Sequence, residues 1–358
     1  MQTIEQLLAQ LTQHEANENT LTTAEQISLH FEIGEAYTAE KEYAKVIEHL
    51  FLALKLLGTM ENAKAQTAKA NYEMACAFYR NAEYDKAIPY AQQSLTMFQE
   101  LEQKADIAKA YQRLGLIVAV NKEYADSLSF FEQAIELSES IDEWETWAGS
   151  HASVADIYMI DKNYKSALRG YQEAIRGFER IEKYDMSGHA YQVISEILLR
   201  HNKTEQAIKA YQESAFSFEK GEFFDDEGMV YQQMARLQES KNKYEAAINY
   251  YDFAIAAFTK SENKRELCNA HLQLAYLYES QEEWAKCLAN YEKAQVFGEG
   301  LKGETEEEEH ETQVLRDGIQ EGIIHAKEEL QLLSEKPKKA TAGSGESDKR
   351  PWWKKLFG

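Results

Sequence analysis

Proline is nearly missing from this chain, with three in 358 residues, and two of those, Pro337 and Pro351, lie close to the end. Almost nothing therefore interrupts helix formation before residue 336. Cysteine is equally scarce. Cys76, Cys268 and Cys287 are an odd number, far apart and without CxxC spacing, which excludes a disulfide framework and a zinc site. Basic charge is short as well: 39 Lys and Arg face 61 Asp and Glu, a formal net charge of −22. A phosphate backbone would be repelled by such a surface, so nucleic acid is excluded as a partner. No run approaches 18 apolar residues, and MQTIEQLLAQLTQHE has neither a basic region nor an unbroken apolar core. Neither a membrane span nor a signal peptide is expected, and the expected compartment is the cytoplasm.

What the chain does have is a period. Gly34, Ala75, Gly115, Ala155, Ser195, Ala235 and Ala275 are small residues spaced by 41 and then by 40, each following a large and an aliphatic residue at fixed offsets. Nine positions after each comes Tyr43, Tyr84, Tyr124, Tyr164, Thr204, Tyr244 or Trp284. Sixteen positions after come Leu50, Ala91, Phe131, Tyr171, Tyr211, Tyr251 and Tyr291, and nineteen after, only Ala or Ser. Within each unit the apolar spacing is helical, as in Leu114 and Val118, then Leu128, Phe131 and Ile135. Polar turns such as NKEY and DKNY split the unit into two helices. The small residues let helices approach where a neighbour's aromatic ring fills the gap. No unit can bury its apolar face alone, so the units must stack.

Large–x–x–aliphatic–small followed by Tyr and Ala in a second helix resembles the tetratricopeptide repeat. The resemblance covers residues 24–297 and implies an all-α fold, a right-handed α-solenoid of about seven helix pairs with capping helices. A unit of forty is longer than the common one and is similar to kinesin light chains, polarity adaptors and Rap-type regulators of bacterial signalling. Pro89 falls inside a predicted helix, where a kink or a late start is expected.

Residues 1–23 read as an N-terminal cap with Ile4, Leu7, Leu8 and Leu11 on one face, and Thr22 with Glu25 as a capping box. Residues 298–335 read as an acidic loop and a capping helix with a stripe of Val314, Leu315, Ile319, Ile323, Ile324 and Leu330. From Lys336 onward, seven basic residues stand against two acidic ones, a net of +5 that leaves −27 for the rest. This segment, 336–358, reads as a disordered linker ending in Trp352, Trp353, Lys354, Lys355, Leu356 and Phe357. Those side chains suit either peripheral membrane contact or a short motif read by a partner.

Catalytic and cofactor signatures are weak throughout, and no enzyme, cofactor or metal is expected. Gly298-x-Gly300-x-x-Gly303 has the letters of a dinucleotide fingerprint but follows a helix and precedes an acidic run. His310 beside Glu306 to Glu309 reads as a solvated acidic loop, and His151 and His271 stand at a packing position of the repeat.

The resemblance also implies where a ligand sits: on the first helices, three before, one after and four after each small residue. That rule selects Tyr72, Tyr79, Gln112, Leu116, Asp156, Met159, Gln192, Glu196, Leu199, Gln232 and Arg236, a peptide- or protein-binding groove whose amides suit an extended backbone. The Lys and Asn with which chaperone-tail-binding members clamp a terminal carboxylate are missing. The expected function is a non-catalytic adaptor or scaffold, tethered through its tail. The alternative is a Rap-type, peptide-responsive regulator of a bacterial signalling protein, although only about 23 residues precede the first unit where such regulators carry a helical bundle.

Overall fold

The computed structural model describes residues 3–16, 21–303 and 305–335. Among these there are sixteen α-helices and no strand. The chain divides into two compact units, residues 1–183 and 184–358.

The first unit opens with α1 (Ile4–Glu15), whose Thr3 and Gln6 close a capping box. Four helix pairs follow: α2 (Thr23–Ala39) with α3 (Tyr43–Leu57), α4 (Lys64–Arg80) with α5 (Tyr84–Glu100), α6 (Lys104–Val120) with α7 (Tyr124–Ser140), and α8 (Trp144–Ile160) with α9 (Tyr164–Arg180). The predicted Thr22–Glu25 box opens α2. Leu7 of α1 is buried in one cluster with Leu29, Ile33 and Leu50, so α1 covers the apolar end of the first pair.

Three pairs make up the second unit: α10 (Tyr184–Arg200) with α11 (Thr204–Lys220), α12 (Phe224–Glu239) with α13 (Tyr244–Lys260), and α14 (Lys264–Ser280) with α15 (Trp284–Glu299). Helix α16 (Glu306–Glu335) closes this unit, burying Ile319, Ile323 and Ala326 with Tyr291 of α15. No described helix is long and apolar enough to cross a membrane.

The turns repeat as faithfully as the helices. Each carries one non-glycine residue of positive φ, from Lys41 to Glu282, and from Ala82 onward they fall every twenty residues. At Ala82, for example, the backbone N–H of Ala82 donates to Tyr79 O and that of Glu83 to Phe78 O. This is the Schellman closure of a helix C-terminus, and it recurs at every one of these positions except Asn62. The residue that completes it, Glu83 here, is also the N-cap of the following helix. A three-residue connection thus ends one helix and starts the next.

Three expectations need correction. Helix α5 does not start late but runs from Tyr84 through Pro89. Pro89 removes the donor to the carbonyl of Asp85, which stands on the exposed side of the first turn, where water can replace it. The acidic run is not a loop: Glu306 to Glu309 form the first turn of α16, where negative charge meets the positive end of the helix dipole. Thr305 caps that turn by accepting from Glu308 N at 3.2 Å. Within α16, Val314 and Ile324 are 44% and 48% exposed and stand off the buried stripe.

The glycine letters after α15 have a structural role. Arg316 of α16 donates to Gly298 O at 3.2 Å and to Leu301 O, and Glu309 accepts from Gly303 N at 2.7 Å. The segment is a helix end tied down by an arginine.

Candidate functional site

The first helices of the repeats carry the side chains selected from sequence, and each unit uses them differently. In the first unit, Tyr72 and Tyr79 stand one above the other on α4, and Arg113 of α6 lies against both rings. Its guanidinium carbon is 6.0 Å from the Tyr72 centroid and 5.5 Å from that of Tyr79. Arg113 Nε is buried without a hydrogen-bond acceptor. Burial pushes the Tyr72 hydroxyl and the Glu73 carboxyl upward from their ordinary values, while the cations Lys69, Arg113 and Arg80 pull Glu73 back.

Tyr72, Glu73, Arg80 and Arg113 wall a cavity of about 230 Å³ with Thr38, Tyr43, Val46, Cys76 and Ala77. A second cavity of about 280 Å³ adjoins it, sharing Thr38, Val46, Glu73 and Arg80, and continues along α2 past Phe31, Glu32 and Glu35 to Lys69. Arg113 lines only the first cavity, Glu32, Glu35 and Lys69 only the second, and Glu73 and Arg80 line both.

The remaining selected residues of this unit are partly engaged in packing. Gln112 donates from Nε2 to Thr146 O of α8 at 3.2 Å, and its amide occupies the space a side chain at Gly149 would need. Leu116 and Met159 are half-buried. Asp156 accepts from the Tyr171 hydroxyl; burial raises the carboxyl and this bond lowers it.

In the second unit the pairing of a second-helix tyrosine with a first-helix carboxylate continues. Tyr251 donates to Glu239 at 3.5 Å and Tyr291 to Glu279 at 3.0 Å. Tyr211, raised chiefly by burial, feels the charge of Glu196. Arg236 is exposed and bonds Tyr251, whose hydroxyl is pushed up to about 12, by burial first. Gln192 Oε1 accepts from His189 Nδ1 at 3.1 Å, and Leu199 packs against the Tyr211 cluster. Gln232 departs from expectation. It is 6% exposed and its Nε2 has no partner among the described residues, so it is a core residue and does not point away from the core.

The structure thus places Tyr72 in a cavity with Arg113, Glu73 and Arg80, and Tyr79 beside it against the Arg113 guanidinium. Glu73 and Arg113 occupy the same register, two before the small residue, in consecutive repeats, and Arg80 stands seven after Glu73. That charged spacing was the available signal. Trp352, Trp353, Lys354, Lys355, Leu356 and Phe357 lie outside the described residues.

Repeat, turn and packing together define a tetratricopeptide-type α-solenoid. A profile of the family "Soluble NSF attachment protein, SNAP" matches residues 90–253. The chain is similar in structure to aspartyl phosphate phosphatase F from Bacillus subtilis, with 18% identity, TM-score 0.56, and coverage of 84% of this chain and 76% of that one. It is similar also to the apo form of the quorum sensor NprR from B. thuringiensis, with 16% identity, TM-score 0.54, and 82% of both chains covered. A Rap protein complexed with competence and sporulation factor aligns with 16% identity and TM-score 0.53 over 80% of this chain and 78% of that one. These likenesses establish the fold. No curated protein sequence matches the chain significantly.

Proposed function

We propose that the protein is a non-catalytic, peptide-binding scaffold or regulator, and that the first-helix face of its first unit holds the ligand. The observation that carries this reading is the pair of adjoining cavities, with aromatic walls and charges of both signs along their length. An extended peptide presents side chains of either sign along its length, and such a surface fixes register while the rings supply contact area. That a structurally similar Rap protein is complexed with a competence and sporulation factor supports the peptide and the regulatory form of the reading.

The test is selection of a displayed library of random peptides on the full chain. Peptides retained by the native protein should be lost by Tyr72→Ala/Tyr79→Ala and kept by Gln192→Ala/Arg236→Glu. The reverse pattern would move the site to the second unit. If a selected peptide also alters binding of a response regulator, the protein is the peptide-responsive regulator; if not, the scaffold reading stands.

The tail is proposed to tether the protein. Trp352, Trp353, Leu356 and Phe357 suit the headgroup region, and Lys354 and Lys355 each contribute about 1 kcal/mol near an anionic surface. Binding to phosphatidylserine vesicles should be salt-sensitive and absent from a chain ending at Glu335. Equal sedimentation of both chains with vesicles would remove the tether from the model of function.

A further inference from the structure

Within a protein of net charge −22, the cavity bounded by α2, α3, α4 and α6 is an electrostatic exception. Its lining carries two arginines, Arg80 and Arg113, against the single carboxylate of Glu73. The rest of the lining is Tyr43, Tyr72, Val46, Ala77, Cys76 and the hydroxyl-bearing Thr38. Arg113 is positioned by contact with two aromatic faces, and Arg80 lies 5.9 Å from the Tyr43 ring centroid. Contact with the two rings orients the guanidinium, and a hydrogen bond to the Tyr72 hydroxyl uses one of its N–H groups, which leaves the others to donate. The Nε of Arg113 is sealed from solvent and has no acceptor among the described residues, so the N–H groups offered to a ligand are those of its Nη atoms. The remaining internal acid, Glu73, is shared among Lys69, Arg80 and Arg113 and cannot satisfy all three.

We propose that this cavity recognises a carboxylate side chain, an Asp or Glu of the bound peptide, with Arg113 as its bidentate anchor and Arg80 as its second cation. The inference rests on the peptide-binding reading above and adds the chemistry of one subsite. Its volume, about 230 Å³, suits one side chain and its backbone rather than a large anion. The neighbouring cavity, with Glu32, Glu35 and Glu73 facing Lys69 and Arg80, then receives the adjoining residue of the peptide, and the acids there favour a basic or neutral one. The subsite therefore fixes direction as well as composition: an acid at one position, and no acid at the neighbour that enters the α2 side.

The experiment selects random dodecapeptides with amidated C-termini on the full chain, and measures affinities of the winners by titration. The expected result is an Asp or Glu enriched at one fixed position. Replacing it by Asn or Gln should weaken binding about 10- to 100-fold, the range for a charge-assisted hydrogen bond. Arg113→Lys should lose most of that preference while retaining the peptide, because an ammonium keeps the charge without the fork. Arg113→Gln should abolish it, and Arg80→Gln should reduce it. Circular dichroism of each variant separates loss of binding from loss of fold, and the Asn- or Gln-substituted peptides test the same contact on the native protein. Selection of peptides with no enriched acid would overturn the carboxylate subsite and leave the peptide-binding reading intact. Acidic peptides whose affinity is unchanged in both Arg113 variants would likewise overturn it. Failure to retain any peptide would overturn both.

Discussion

Gly228→Val should destabilise the second unit by about 1–3 kcal/mol or more, and Phe258→Ala by about 3–5 kcal/mol, while the double variant should lose less than the sum. A Cβ added at Gly228 would stand 2.4 Å from Phe258 Cε1, and that ring is fully buried. Each substitution alone therefore misfits, one by overpacking and the other by leaving a cavity. Together they trade volume across the same helix contact. The measurement is a double-mutant cycle by chemical denaturation. Strict additivity would show that the two residues do not share a packing site, which the geometry forbids.

The contact belongs to a second ladder that sequence reading passed over. Seven residues before each small residue stand Ile27, Ala68, Ala108, Ala148, Gly188, Gly228 and Cys268, all buried. Twenty-three after it come Leu57, Phe98, Ser138, Phe178, Phe218, Phe258 and Gly298. Where the second position is Phe, the first is Ala or Gly; where the second is Gly298, the first is the larger Cys268, whose Sγ would lie 3.4 Å from an added Cβ. In five of the seven pairs a small residue at one position faces a larger one at the other, while Ile27 with Leu57 and Ala108 with Ser138 do not follow the rule. A pattern carried by a sum is hard to read one column at a time, whereas the Gly34-to-Ala275 ladder keeps a small residue in every unit and is plain.

The turns were legible as polar segments but not as Schellman closures. The positions of positive φ are held by Lys, Glu, Asp, Asn and Ala and never by glycine, the residue that ordinarily marks them. A left-handed residue other than glycine costs about 1–2 kcal/mol, and the stacking on either side offsets it. In the site, the row rule selected Tyr72 and Tyr79 and missed Arg113, because a long side chain two positions before the small residue reaches back over rings on the neighbouring helix. Gln112 and Gln232 were legible as polar, but their burial depends on the facing helix. The tyrosines at position sixteen, unexplained by core packing alone, have their reason in the carboxylates of Asp156, Glu239 and Glu279.

Acid should loosen the first helix pair ahead of the rest. His30 of α2 and His49 of α3 are 5% and 8% exposed and share one hydrogen bond, Nδ1 to Nδ1, at 3.1 Å. A single bond between two ring nitrogens requires one donor and one acceptor, so the two rings cannot both be protonated without breaking it. The Tyr37 ring stacks on His49 at 5.8 Å, and Glu48 is the carboxylate that acts on it. Burial, and then the proximity of His49, depress His30 to about 4; burial also lowers His49, against the pull of Glu48. A histidine depressed in the folded state binds its proton more readily when unfolded, at about 6.5. The stabilisation is therefore complete above pH 6.5 and is lost as pH falls from there toward 4. From His30 alone the loss is roughly 3 kcal/mol at 1.36 kcal/mol per pKa unit. In the second unit the carboxyls of Glu227 in α12 and Asp252 in α13, raised chiefly by burial, have the opposite sign, whereas His271 of α14, lowered chiefly by burial, shares the sign of His30. Amide hydrogen exchange should accordingly show α2 and α3 opening more as pH drops from 7 to 4, after correction for the intrinsic rate, while α12 and α13 do not. His30→Leu/His49→Leu, which replaces the pair with apolar side chains, should flatten that dependence. Equal acid sensitivity in the double variant would assign the effect to other groups of the first unit.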